Sequence, residues 1–177
     1  MISEQTAARL NAQVDRELYS AHFYLSLATR AEAENLKGTS AWFMAKHTEE
    51  MAHALKMVRY LMDQEATVTL GQIDAPPADI QGIKAMFGAT LAHEREVTAA
   101  INDLVDHALS EKDHATNIFL HWFVSEQIEE EATVNDILGR LRLFGDQGQG
   151  LLMIDNELAA AAKTMGQANG PVPAPAP

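Results

Sequence analysis

The sequence predicts an all-α fold: a four-helix bundle with one long crossover between helices two and three, plus a short fifth helix. Three observations carry this. Four long stretches lack any residue that stops a helix, and each repeats apolar residues at steps of three and four. Two connections are short turns of the kind that join antiparallel helices. The remaining one is about 14 residues long and contains Pro76 and Pro77, which forbid helix.

The first helix is expected from Ser3, whose hydroxyl can cap it, to about Glu34. Asn35 to Ser40 reads as a turn, with Gly38 left-handed and Thr39 or Ser40 capping the next helix. Helix two is expected over about Ala41 to Glu65. The stretch Ala66 to Asp79 covers ~45 Å at ~3.3 Å per residue, about the length of a 27-residue helix. It therefore reads as a crossover that returns the chain to the end where helix two began, which makes helices two and three parallel. Helix three follows from about Ile80 to Leu109, and Asp113 can cap a fourth helix over His114 to Phe144. Gly145, Gly148 and Gly150 end that helix, since each glycine carries a large backbone entropy cost inside one. A shorter fifth helix is expected over about Leu151 to Thr164. The domain reading is residues 1–165 for the bundle with its fifth helix and 166–177 for a Pro-rich disordered tail.

The chain has 177 residues, enough for one domain with a sizeable core, and a formal net charge of −12. That charge argues against nucleic acid or an anionic membrane surface as partner. With no cysteine, disulfides, thiolate catalysis, iron–sulfur clusters and thiolate zinc sites are excluded. No signal peptide and no bilayer-length apolar run is visible, so the expected location is cytoplasmic.

A carboxylate interrupts each apolar stripe near its middle. Helix one gives Leu10, Val14, Glu17, Ala21, Tyr24 and Ala28; helix two gives Phe43, His47, Glu50, Ala54, Met57 and Leu61, with His53 beside Glu50. Helix three gives Phe87, Thr90, Glu94, Val97 and Ile101; helix four gives Phe123, Gln127, Glu130, Val134 and Ile137. Unpaired carboxylates buried together cost several kcal/mol each and repel one another, a conflict that a polyvalent cation resolves. Glu50 and His53 stand three apart, the spacing by which a bundle helix supplies two metal ligands. Oxygen ligands with one imidazole suit iron, manganese or zinc. Counted from residue 112, Glu94 and Glu130 are level. Counted from Lys37, Glu17 misses Glu50 and His53 by four to seven residues, ~6–10 Å along the helix.

Arg16-Glu17-Leu18-Tyr19-Ser20, Glu49-Glu50-Met51-Ala52-His53, Glu94 after His93, and the run Trp122 to Glu131 together resemble the bacterial non-haem ferritins, over about residues 3 to 165. The resemblance implies a ferritin-like bundle with ferroxidase activity, Fe2+ being oxidised by O2 or H2O2 and ferric mineral stored in a homo-oligomeric shell of twenty-four subunits. It implies a di-iron centre with Glu17, Glu50 and His53 on the first iron and Glu50, Glu94 and Glu130 on the second, and Gln127 as a hydrogen-bonding partner or weak ligand. Tyr24 matches a tyrosine beside the centre, an electron donor, with Trp122 a second candidate. A third iron site maps onto Glu49, Glu126, Glu129 and Glu130. Bacterioferritins and rubrerythrins carry Glu-x-x-His on helix four too, whereas here Gln127 and Glu130 stand in those places. That leaves the two metal positions unequal and favours transit of iron to mineral. Met51 matches the haem-ligating methionine of bacterioferritin but reads as an apolar interface residue, and no haem is expected. A haem-containing bacterioferritin and a non-storing di-iron oxidase are the alternative readings.

Overall fold

Residues 2–168 are described by a computed structural model. They form α1 (Glu4–Ala33), α2 (Lys37–Asp63), α3 (Ile83–Ser110), α4 (His114–Phe144) and α5 (Gly148–Ala168), with no strand among them. Two helix starts follow the expected side chains. Ser3 Oγ accepts from the Thr6 amide at 3.1 Å, and Asp113 accepts from the Thr116 amide at 3.0 Å and its hydroxyl at 2.6 Å.

The first turn is tighter than the sequence suggests. Asn35, not Gly38, takes the left-handed conformation, with φ 62°, and α2 already begins at Lys37. The Leu36 amide reaches back to the Ala31 carbonyl at 2.9 Å, so the turn closes as a Schellman-type cap. Glu65 (φ 57°) and Lys112 (φ 58°) end α2 and α3 in the same way. Neither Thr39 nor Ser40 caps α2. That task falls to Asp155 of α5, whose carboxylate accepts from the amides of Gly38 at 2.9 Å and Thr39 at 2.7 Å, and from the Thr39 hydroxyl at 2.7 Å. Gly38 is required for a different reason from the one expected: a Cβ there would lie 1.7 Å from the Asp155 carbonyl oxygen.

Two apolar clusters fill the bundle, and their membership sets the helix directions. One joins the end of α1 (Tyr24, Leu27, Ala31) to the starts of α2 (Trp42, Phe43) and α3 (Ile83, Phe87) and the end of α4 (Ile137, Leu141). The other joins Leu10 and Val14 of α1 to Met57 and Leu61 of α2, Ile101 and Leu104 of α3, and Leu120 of α4. Start meets start between α2 and α3 and between α1 and α4, so these pairs are parallel while α1–α2 and α3–α4 are antiparallel. The crossover between them climbs along α1. Thr69 N donates to Asn11 at 2.8 Å, Gly71 N to Asp15 at 2.8 Å, and Gly82 N to Glu34 at 3.1 Å. Gly82, with φ 79°, delays α3 to Ile83 rather than Ile80.

The fifth helix is longer at both ends than expected. Gly148 and Gly150 lie inside it, and the Gly150 Cα approaches the Phe144 carbonyl so closely that a Cβ would stand 2.0 Å from its oxygen. Ala168 ends the described helix, so residues 166–168, read as tail, belong to α5; the disorder expected for the rest of the tail lies outside the described residues. Ile154 and Leu158 are buried in the first cluster, so much of the α5 apolar face is covered by its own chain.

Candidate metal centre

Between the two clusters the core turns polar. Glu17, Lys46, Glu50, His53, Glu94, Gln127 and Glu130 are all buried there, drawn from all four long helices. The register mismatch expected between α1 and α2 disappears because the turn pivots on Asn35, from which Glu17 and His53 are equally distant in sequence. Their levels therefore coincide: His53 Nδ1 lies 3.4 Å from Glu50 Oε2 and 4.0 Å from Glu17 Oε2. One ligand atom from each of Glu17, Glu50 and His53 fits within 4.8 Å of the others, a spacing at which a metal ion can be held. Gln13, one turn before Glu17, donates to Glu17 Oε1 at 2.8 Å and fixes its orientation.

Across the core, Glu94 accepts hydrogen bonds from Tyr24 Oη and, at 3.1 Å, from Gln127 Nε2. Gln127 also donates to the Glu94 carbonyl and to Thr98 Oγ1, both at 3.2 Å, so its amide is tied to α3. Glu94 and Glu130 do not join Glu50 in a group of metal-ligand spacing among the described residues. A residue absent from the expected ligand set stands among them. Lys46 Nζ pairs with Glu130, lies 2.8 Å from Glu49 and 4.0 Å from Glu50, and sits 5.9 Å from the centre of the Tyr24 ring. The sequence does carry a signal for it: Lys46 is one heptad before His53 on α2 and so shares its face.

Burial and crowding govern the charges. Burial, then the Glu50 charge, holds the Glu17 carboxyl well above the usual range. Burial acts on Glu50 too, but the His53 hydrogen bond and charge and the Lys46 ammonium outweigh it and hold Glu50 ionised. Burial alone would lower His53; Glu50 and Glu17 overcome it and raise the imidazole to about 9. Glu130 is pushed up to about 8 by burial and by the charges of Glu94 and Glu50, although Lys46 opposes this. Glu94 is raised by burial and Glu50, and Tyr24 by burial and Glu94. Lys46 stays charged despite burial because Glu130, Glu50 and Glu49 surround it. In this state protons and an ammonium balance the carboxylates, which is the role a bound cation would otherwise fill.

Beside the centre, Glu49, Glu126, Glu129 and Glu130 line one cavity of about 450 Å3. Glu49 and Glu126 form a second group of metal-ligand spacing with His53, whereas Glu129 is exposed. Trp122 packs edge-on against the His53 ring, with centroids 5.2 Å apart, and Lys56 Nζ lies 3.6 Å over the indole. The other inward histidines are satisfied by protein groups. His47 meets the Ala21 carbonyl at 2.8 Å, His93 meets Ser20 Oγ at 2.8 Å, and His107 meets Thr6 Oγ1 at 3.1 Å. Met51 is half-buried.

Comparison with known proteins converges on one family. The ferritin family, described as a ferritin-like domain, matches residues 7–144. A bacterial non-heme ferritin of Campylobacter jejuni is 37% identical over 155 residues, covering 88% of this chain and 93% of that protein. One from Bacteroides fragilis is 36% identical over 158 residues, covering 89% and 98%. Among solved structures, an open pore ferritin from the archaeon Archaeoglobus fulgidus superposes with a TM-score of 0.88 at 41% identity, covering 90% of this chain and 98% of the other. With the five-helix architecture and the four-helix polar core, these likenesses show that the chain belongs to the ferritin family.

Proposed function

We propose that this chain is an iron-storage protein with ferroxidase activity, oxidising Fe2+ at an intrasubunit di-iron centre and holding ferric mineral inside a shell of twenty-four subunits. The observation that carries the reading is the buried convergence of Glu17, Glu50 and His53 at metal-ligand spacing. Without a bound cation this set holds its protons unusually tightly, with Glu17 well above the usual carboxylate range and His53 raised to about 9. The names of the Campylobacter and Bacteroides relatives, non-heme ferritins, point the same way and call for no haem at Met51.

In this reading Glu17, Glu50 and His53 receive the first Fe2+. Glu50 bridges to a second position bounded by Glu94 and Glu130. Each Fe2+ gives up one electron to O2 or H2O2. His53 must release its proton to ligate, and Glu17 and Glu130 release theirs in the same way. Gln127 holds Glu94 through its amide, and Tyr24, hydrogen-bonded to Glu94, is positioned to supply an electron. The Glu49, Glu126, Glu129 and Glu130 side of the centre, with its cavity, is the third iron site.

Aerobic Fe2+ addition to the assembled protein should give the ferric absorbance and a core that exceeds two irons per chain. Glu50→Ala or His53→Ala should slow the initial oxidation by at least about tenfold. If the double variant oxidises Fe2+ as fast as the wild type, the centre has been misassigned.

A further inference from the structure

The carboxylates on the far side of Glu50 already hold a cation that the chain itself supplies. Lys46 is buried at 2% exposure on α2, and its ammonium contacts Glu130 and Glu49 and faces Glu50. Glu17 faces His53 instead and is not among the ion-pair partners of Lys46. The division in the ligand spacing follows the same line: Glu17, Glu50 and His53 converge, while Glu94 and Glu130 do not join Glu50 in such a group.

We propose that Lys46 is a tethered cation that occupies the second metal position, so that the chain holds one divalent ion firmly and admits a second only by displacing the ammonium. This rests on the metal-centre reading above. The geometry supplies a destination for the displaced group. Lys46 lines the 450 Å3 cavity together with Glu49, Glu126 and Glu129, so its four-carbon stem can carry the ammonium from Glu130 to those carboxylates. The exchange leaves no buried charge unpaired at either end, which is the condition under which it is cheap. A tethered competitor also cannot be diluted away, so it acts at a high effective concentration against every incoming ion. Its consequence is selective. The second position and the neighbouring cavity become places that iron passes through, while the Glu17, Glu50 and His53 position keeps its ion.

Titration of the metal-stripped, assembled protein with Zn2+ or Co2+, followed by calorimetry and by Co2+ absorption, tests this without turnover. The wild type should bind one ion per chain tightly and a second at least about tenfold more weakly. Lys46→Met and Lys46→Gln should tighten the second ion by about tenfold or more and the first by clearly less, because the ammonium contacts Glu130 directly but stands 4.0 Å from the shared Glu50. Lys46→Arg, which keeps the charge, should retain the wild-type pattern. Adding Glu94→Gln to Lys46→Met should abolish the gain, which assigns it to the second position. Two equally tight ions in the wild type, or unchanged second-ion affinity in both neutral variants, overturns the role of Lys46. Should Lys46→Met fail to assemble, Lys46→Gln and the wild type still decide. Failure of the wild type to bind even one ion tightly would overturn the metal centre itself and Lys46 with it.

Discussion

Glu50 meets a charge on each side: the His53 imidazole in one direction and the Lys46 ammonium in the other. That arrangement makes the metal-free protein sensitive to pH in a definite direction. His53 is raised from 6.5 to about 9, so the stability it contributes is complete below about 6.5 and is lost as pH rises through 9. Glu130 is raised from 4.5 to about 8, so losing its proton over that interval also weakens the fold. Both groups bind more protons folded than unfolded, and the apparent Tm of chelator-treated protein should fall between about pH 6.5 and 9. Zn2+, which replaces those protons, should raise Tm more at pH 8.5 than at pH 6.5. A metal-free Tm that climbs across this window would contradict the charge assignments.

Among the elements, α5 and the start of α2 depend on each other. Asp155 supplies the cap that α2 lacks from its own residues, satisfying two amides and a hydroxyl at the positive end of the helix. Asp155→Ala should cost ~1–2 kcal/mol in chemical denaturation and raise amide exchange at Gly38 and Thr39. Gly38→Ala offers a sharper reading. In an exposed helix the change stabilises by roughly 0.5–1 kcal/mol, but here the new methyl meets the α5 backbone and should destabilise by ~1–3 kcal/mol. The opposite sign applies at Lys112, exposed and left-handed at the end of α3. Lys112→Gly relieves that conformation and should raise stability by ~0.5–1 kcal/mol in the same measurement.

At the scale of the whole molecule, large apolar side chains remain exposed on the helices: Leu55 and Met62 of α2, Ile118 and Ile128 of α4, and Leu152 of α5. Assembly of subunits through these helices would bury such side chains. Light scattering on the purified protein should give a mass near twenty-four chains, as closed symmetric assembly of the proposed shell requires. A monomer would remove the storage half of the proposal and leave the di-iron oxidase alternative. No described helix is long and apolar enough to cross a membrane.

The sequence by itself determined the helices, their order and the polar layer, because these rest on local periodicity and on the cost of burying carboxylates. Four interrupted stripes, the Ser3 and Asp113 caps and a connection long enough to span the bundle are all written in short-range patterns. Only the tertiary structure decided the rest. A left-handed Asn35 moved the turn and brought Glu17 level with His53, a conformation that a non-glycine residue adopts for the sake of its cap. The Asp155 cap joins residues far apart in the chain, so no local window contains it. The same holds for Lys46: its heptad spacing from His53 was legible, but Glu130 comes from another helix, and lysine at the edge of a stripe ordinarily reaches water. Whether it stays inside depends on which carboxylates face it, and packing alone settles that.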